Sequence, residues 1–327
     1  MARCLELAQK GLGTTYPNPL VGSVLVHQDR IIGEGWHHKA GEPHAEVHAI
    51  NSVKEKHLLR EATLYVNLEP CSHFGKTPPC CDLVIDKQIP KIVIGSVDHH
   101  SKVNGTGIAR LQAAGKEVVV GVLAAECAQL NKRFFTFHQQ KRPYIILKWA
   151  QSADGFIAPL SKSSREPVWI SSLLSRQLVH KWRSEEQAIL VGTQTVLDDN
   201  PQLNLRDWPG TNPVRIVLDP KNRIPNTSAV FNAEAETILI SQNEIDFSQN
   251  VAAQIAEFLF HQNIQSVIIE GGRQTMQTFI DADCWDEARV FTGNGNLTSG
   301  IAAPILEAEP ASQTTVDRDT LTYYYHD

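Results

Sequence analysis

The chain has 327 residues, 42% hydrophobic and 20% charged, with a formal net charge of −6. That length and composition suit two globular domains with ample cores. They exclude a broad basic surface for nucleic acid, and no apolar run approaches the roughly 20 residues of a membrane span. The first ten residues, with Arg3, Glu6 and Lys10, lack the apolar core of a signal peptide, so a cytoplasmic location is expected. Six cysteines in a chain this long do not make a disulfide framework. Cys4, Cys127 and Cys284 read as small buried hydrophobes in a reducing compartment.

In chain order, Cys4 to Ala8 predicts a short amphipathic helix that stops at Gly11 and Gly13. Two prolines then flank Asn18 and set it in a rigid turn, an amide placed either for turn chemistry or for hydrogen bonds to a heterocycle. Gly22 to His27 and Arg30 to Trp36 read as strands joined at Gln28-Asp29. A polar loop with His37 precedes His44-Ala45-Glu46, where helical periodicity resumes and runs to about Ser52. A strand from Ala62 to Leu68 leads into Pro70-Cys71, and Cys80 opens a helix to Lys87 after the Pro78-Pro79 turn. Strands at Ile92 to Gly95 and Glu117 to Val122 enclose a helix from Ile108 to Ala114. The last helix of this half runs from Leu130 to His138. The alternation predicts a three-layer α/β sandwich.

The chemistry of this half lies in His44, Glu46, Cys71 and Cys80. One His nitrogen and two Cys thiolates fill three positions of a tetrahedral zinc and leave the fourth for water. Zinc lowers the pKa of that water to about 7, and Glu46, two residues from a ligand, is free to move protons. His-x-Glu followed by Pro-Cys and a second Cys is the pattern of zinc nucleobase deaminases, although eight residues separate the cysteines here. Cys81 adjoins Cys80 and competes for the ligand role; side chains on consecutive helical residues diverge by about 100°. A closed structural zinc with a fourth protein ligand is the alternative reading.

A polar linker around residue 141 starts the second half, giving expected domains of 1–140 and 141–327. Tyr144 to Trp149 reads as a buried strand, followed by a turn and an apolar return at Phe156 to Ala158. A helix capped by Ser171 or Ser172 runs to about Arg183. Strands follow at Ala188 to Gly192, Arg215 to Asp219, Thr237 to Ser241, Ser266 to Glu270 and Glu287 to Thr292. Helices fall at Val251 to His261 and Gln274 to Ile280. Gly271-Gly272 ends a strand at a helix start, where bare backbone N–H groups can cradle phosphate, and Gly192 to Thr195 is a similar strand-to-loop junction. No Gly-x-Gly-x-x-Gly follows a strand, so a Rossmann dinucleotide site is not supported.

Taken together, His44 to Ile50, Glu69-Pro70-Cys71-Ser72-His73, Gly75 to Cys80 and the Pro17-Asn18-Pro19 turn resemble the deaminase half of the bacterial bifunctional riboflavin-biosynthesis deaminase/reductases. Lys148, Ser152-x-Asp154-Gly155, Trp169-Ile170-Ser171, Arg183, Thr195-Val196, Asp199-Asn200-Pro201, Leu203, Arg206 and Glu270-Gly271-Gly272 are similar to the reductase half. The resemblance implies a cytidine-deaminase-like sandwich followed by a dihydrofolate-reductase-like α/β domain that uses NADPH. It implies zinc-dependent deamination of 2,5-diamino-6-(5-phosphoribosylamino)pyrimidin-4-one, then reduction of the ribosyl group to give 5-amino-6-(5-phosphoribitylamino)uracil.

The same resemblance assigns His44, Cys71 and Cys80 to zinc, and Glu46 with Lys76 to catalysis. Asn18, His37 and His73 fall to the first substrate. Gln151, Trp169, Thr195 and Asp199 fall to NADPH, with the loop of Gly272, Arg273, Gln274, Thr275, Met276, Gln277 and Thr278. Pro167, Arg183, Leu203, Arg206 and Glu270 fall to the second substrate, a small pyrimidine ribosyl phosphate. A homo-oligomer is expected, with no nucleic-acid or membrane partner. The sequence departs from the family at His99-His100-Ser101, and at Gln151 and Pro167. The rivals are a nucleic-acid deaminase, which requires a basic aromatic groove, and a zinc-stabilised binding protein.

Overall fold

The computed structural model describes residues 1–74, 78–98, 105–161 and 168–326. The chain divides into two compact units, Met1–Lys141 and Arg142–Asp327.

The first unit is built in the order α1 (Ala2–Gln9), β1 (Gly22–His27), β2 (Arg30–Trp36), α2 (Ala45–Ser52), β3 (Thr63–Leu68), α3 (Cys80–Asp86), β4 (Lys91–Ser96), α4 (Thr106–Ala113), β5 (Glu117–Val120), α5 (Ala124–Leu130) and α6 (Lys132–Gln140). Its sheet has the order β2-β1-β3-β4-β5, antiparallel on the first side and parallel from β3 to β5. Strand alternation makes the layers. Leu25, Leu64, Val66, Ile92 and Ile94 pack on one face with Ala49 and Ile50 of α2 and Val84 of α3. Val24, Val26 and Tyr65 point to the other face, with Cys4 and Leu7 of α1.

Two differences from the sequence reading belong here. A 3-10 turn at Lys56–Glu61 precedes β3. The last expected helix is α6, and a further helix that the sequence reading lacked, α5, precedes it, the two separated at Asn131. Its side-chain oxygen accepts from Leu20 N–H at 2.8 Å and its amide donates to Leu20 C=O at 3.0 Å.

The second unit contains β6 (Tyr144–Gln151), β7 (Phe156–Ala158), α7 (Leu173–Glu185), β8 (Ala188–Gly192), α8 (Thr193–Asp199), β9 (Val214–Leu218), β10 (Thr237–Ile240), α9 (Val251–His261), β11 (Ser266–Gly271), α10 (Arg273–Asp281), β12 (Glu287–Thr292), β13 (Ile301–Ala302), β14 (Ser312–Val316) and β15 (Asp319–Tyr325). The large sheet runs β10-β9-β8-β11-β6-β12-β15-β14. Strands from β10 to β12 are parallel, and β15 and β14 close the edge antiparallel.

Central strands buried on both faces explain their unbroken apolar runs. Ile145, Leu147, Leu190 and Ile269 meet α9 and α10, whereas Ile146, Ile189, Val191 and Ile268 meet α7 and α8. Gly192 to Thr195, expected as a strand-to-loop junction, instead leads into the helix α8, and the tail after residue 300 supplies β13, β14 and β15. Asp319 fixes that tail: its buried carboxylate accepts from Ser172 N–H and Ser175 O–H, each at 2.6 Å, at the start of α7.

Candidate active sites

In the first unit His44 is the N-cap of α2 and Cys80 is the first residue of α3, so two helix N-termini converge. The partial positive charge there favours thiolates and bound anions. Cys71 comes from the segment after β3 and accepts the Cys80 N–H at 3.3 Å. The donor atoms of His44, Cys71 and Cys80 all lie within 4.8 Å of one another. His44 Nδ1 is 3.5 Å from Cys71 Sγ and 3.3 Å from Cys80 Sγ. A tetrahedral ion roughly 2.0 Å from nitrogen and 2.3 Å from sulfur holds those atoms about 3.5 Å apart. The three residues therefore fit zinc in separation as well as in donor type.

The two thiols sit in unequal surroundings. Hydrogen bonds from Cys80 and His44 hold Cys71 down to about 4, and Cys80 is pushed up by its bond to Cys71 and by burial. Cys81 faces away, with its Sγ toward Pro70 C=O and Gly107 C=O. Burial pushes its thiol up to about 12.

Glu46 lies in the first turn of α2, buried, and burial raises its carboxyl above the ordinary range. Asn18 donates its amide N–H to His37 Nε2 at 3.0 Å, and His37 Nδ1 faces Pro43 C=O at 3.1 Å. His37 is buried, which lowers its pKa and keeps the ring neutral at pH 7. The Nδ1 proton then goes to Pro43 and the Nε2 lone pair to Asn18, which leaves Asn18 Oδ1 without a partner among the described residues. His73 is exposed on the segment after Cys71. Lys76 lies outside the described residues, as do His99, His100 and Ser101.

Two supporting residues, Asn67 and Asn131, escaped the sequence reading, and a third, Glu69, stood in the motif without a role. Buried Asn67 in β3 accepts from Gly22 N–H and donates to Leu20 C=O, so with Asn131 it anchors the turn that carries Asn18. A lone Asn inside an apolar strand was the available signal. Glu69, two residues before Cys71, accepts from the N–H groups of Asp98, Gly105, Gly107 and Ile108.

The second unit carries an open cleft of about 1380 Å³, lined from β6, α7, α8 and the start of α10. It is larger than the roughly 300–1,000 Å³ usual for small-molecule sites and can take a dinucleotide beside a nucleotide. It lies beyond the C-terminal ends of the parallel strands, the usual ligand position in open α/β sheets. Trp169, Thr195 and Asp199 line it, as do Gly272, Arg273, Gln274, Met276 and Gln277. The strand ends pack closely. A Cβ on Gly192 would stand 2.6 Å from Thr275 Oγ1, and one on Gly271 would stand 2.8–2.9 Å from Val191 and Thr195. Gly272, at φ +80, is the N-cap of α10 and opens its N–H groups toward the cleft. This bare backbone cradle at a helix start fits a cofactor phosphate.

Other expected contacts fall differently. Thr275 and Thr278 are not among the lining residues, and Thr278 bonds back to Gln274 C=O. The Met276 side chain belongs to the core under α10, so its reach to the cleft is short. Gln151 accepts the indole N–H of Trp149 at 2.8 Å. Leu203 is buried at φ +52, packed with Val179 and Val196. Pro167 lies outside the described residues.

Arg183, Arg206 and Glu270 also line the cleft. Arg183 is not surface charge. It holds Glu270 through two 2.8 Å bonds, Nε to Oε1 and Nη2 to Oε2, in bidentate geometry. Lys148, whose role the sequence left unassigned, completes the cluster, with Nζ 3.5 Å from Glu270 Oε2. Burial alone would raise Glu270; the Arg183 and Lys148 charges overturn this and bring it down to about 2. Burial lowers Lys148. Two cations and one carboxylate leave a net positive cleft floor.

Comparisons with known proteins agree with this geometry. Residues 1–96 match the cytidine and deoxycytidylate deaminase zinc-binding region, and residues 143–299 match the RibD C-terminal domain. The riboflavin biosynthesis protein RibD of Aquifex aeolicus is 41% identical over 92% of this chain and 88% of that protein. The Escherichia coli protein of the same name is 38% identical over 94% of this chain and 85% of its own length. The crystal structure of a diaminohydroxyphosphoribosylaminopyrimidine deaminase/5-amino-6-(5-phosphoribosylamino)uracil reductase from Thermotoga maritima superposes with a TM-score of 0.91. It has 36% identity, and the match covers 100% of this chain and 97% of that one.

Fold and site thus define a zinc-dependent deaminase of the cytidine-deaminase type joined to a dihydrofolate-reductase-like reductase of the NADPH-using kind. The chain belongs to the RibD family of bifunctional riboflavin-biosynthesis enzymes. No described helix is long and apolar enough to cross a membrane.

Proposed function

We propose that this chain deaminates the 2-amino group of diaminohydroxyphosphoribosylaminopyrimidine in its first unit and reduces the resulting 5-amino-6-(5-phosphoribosylamino)uracil in its second. The observation that carries the reading is the His44, Cys71 and Cys80 triad at zinc-ligand spacing with buried Glu46 beside it. Zinc held there supplies a water of pKa about 7. Glu46, beside the triad in the first turn of α2 but not part of it, accepts the proton of the attacking water at a carboxylate oxygen and returns it to the leaving amine. His37 orients rather than reacts: it fixes the Asn18 amide so that Oδ1 faces the heterocycle as an acceptor. Lys76 joins Glu46 in catalysis, and His73 completes the substrate contacts.

NADPH held in the second unit would supply a hydride to C1′ of the ribosyl group, with the C1′–O4′ bond opening and a proton taken up at O4′. The Gly272 to Gln277 segment, Trp169, Thr195 and Asp199 hold the cofactor. Arg183, Glu270 and Arg206 contact the ribosyl phosphate substrate, with Arg183 held in place by its carboxylate partner and Arg206 turned to the phosphate. A cytoplasmic location and a homo-oligomer belong to the same reading; the six unpaired cysteines suit a reducing compartment. Light scattering tests the assembly, and a monomer at working concentration contradicts it.

The test of function is a coupled assay with the diamino substrate. Ammonia should appear without NADPH, and NADPH oxidation should require prior deamination. NADPH oxidation with the undeaminated substrate would overturn the order of steps.

A further inference from the structure

Arg176, His180 and Arg183 are spaced four and three residues apart on α7, so they share one helical face, and all three line the cleft. Arg176 stacks on the ring of Trp169 at 4.1 Å, and Arg183 is committed to Glu270. His180 stands between them, buried, and each ring nitrogen has a polar neighbour. Its Nδ1 accepts the backbone N–H of Arg206 at 3.4 Å, and its Nε2 lies 3.5 Å from Asp207 Oδ2.

Those two partners fix the tautomer. An N–H pointing at Nδ1 requires a lone pair there, so the proton sits on Nε2 and faces the Asp207 carboxylate. Burial and the neighbouring Arg183 charge lower the His180 pKa and keep the ring in this neutral form.

The segment that His180 grips has no regular secondary structure, yet successive residues are fastened to the scaffold. Asn204 C=O accepts from Arg183 Nη1, and its side-chain amide reaches Gln202 and Glu234. Leu205 N–H donates to Asn212 Oδ1 at 2.8 Å. Arg206 is the next residue, and its backbone is held by His180. Its own guanidinium is exposed, with no partner among the described residues, and it lines the same cleft as Arg183. A loop pinned at each backbone step and ending in an uncommitted guanidinium is built to present that group to an anion.

We infer that His180 is a positioning residue of the reductase: through its Nδ1 lone pair it sets the Arg206 backbone so that the guanidinium meets the substrate's phosphate monoester, and thereby makes the second unit selective for phosphorylated substrate. The inference rests on the assignment of Arg206 to the ribosyl phosphate and adds the group that holds it there.

The test uses the full-length chain with zinc and NADPH, comparing the purified deaminated ribosyl phosphate with its phosphate-free counterpart. Asn at position 180 places an amide atom near the former Nδ1 and can still accept from Arg206. Gln reaches the Nε2 position instead and cannot. His180→Asn should therefore keep KM for the phosphorylated substrate within about twofold, and His180→Gln should raise it about tenfold. That is the scale of one hydrogen bond to a charged group. In both variants kcat should stay within about threefold, and KM for the phosphate-free substrate should not move.

Asp207→Ala gives a second reading without disturbing the core. If Asp207 acted only as a negative charge in the cleft, its removal would lower KM for the phosphorylated substrate. If it holds the His180 tautomer, KM rises. Arg206→Ala serves as the reference. A raised KM in Arg206→Ala together with unchanged KM in His180→Gln and Asp207→Ala overturns the inference and leaves the phosphate assignment standing. An unchanged KM in Arg206→Ala removes the assignment itself, and the inference with it. Equal losses on phosphorylated and phosphate-free substrates in His180→Gln would reduce His180 to a packing residue.

Discussion

Glu270→Gln removes the one negative charge between two buried cations, and its effect follows from the cluster geometry. The Glu270 side chain is 7% exposed, against 12% for Arg183 and 14% for Lys148, so solvent screens the cluster little. A carboxyl brought from 4.5 down to about 2 contributes roughly 3 kcal/mol to the folded state at neutral pH. Removal of one partner from a buried ion pair costs a similar amount, about 3–5 kcal/mol, because the remaining charge is left unmatched. Lys148, pulled downward by burial, can shed its proton and relieve part of that cost.

For a unit of this size each kcal/mol is worth about 2–4 °C, so the second unit of Glu270→Gln should melt roughly 5–10 °C below the wild type at pH 7. The sign with pH is fixed. The folded-state pKa lies below the unfolded value, so the contribution is fully present above about pH 4.5 and is lost as pH falls toward 2. Scanning calorimetry of the full chain at pH 7 and at pH 3 should show the gap between mutant and wild type narrowing with acid. A midpoint unchanged within 1–2 °C at pH 7, or a gap that widens on acidification, would refute the reasoning.

The remaining predictions are brief. Metal analysis should find about one zinc per chain; Cys71→Ser and Cys80→Ser should lose it, and Cys81→Ser should keep it, since that thiol faces Pro70 and Gly107. Full zinc retention in both of the first two variants would contradict the ligand set. Glu46→Gln should keep zinc and lose deamination by about 10²-fold or more, the usual scale of general acid–base catalysis. His37→Ala should raise the deaminase KM by freeing the Asn18 amide, whereas His37→Gln, which can still accept the Asn18 N–H, should restore part of the loss; identical kinetics for both would show that the Asn18 contact does not matter.

The sequence was most legible where chain-local chemistry decides. His44 and Cys80 sit at helix starts because a periodic apolar run begins immediately after each, and the strands β1, β2 and β8 fall on their predicted bounds. It was least legible where an element depends on distant partners. The helix α8 has seven residues and only one buried apolar side chain, Val196, below the length at which periodicity speaks. Strand β14 is polar and exposed along Ser312–Val316, and its place comes from β15, which Asp319 ties to α7. The Lys148–Glu270–Arg183 cluster joins three elements across 122 and 87 residues, a separation no local pattern reports. The same holds for the grip of His180 on Arg206.

The most direct test of the two-site account is NADPH oxidation by zinc-loaded Glu46→Gln protein supplied with purified 5-amino-6-(5-phosphoribosylamino)uracil. Glu46 belongs to the first unit and every proposed reductase contact to the second. The account predicts a rate within about twofold of the wild type, while the same protein releases almost no ammonia from the diamino substrate. Loss of reduction by this folded, zinc-bearing variant would contradict the assignment of the two reactions to separate units.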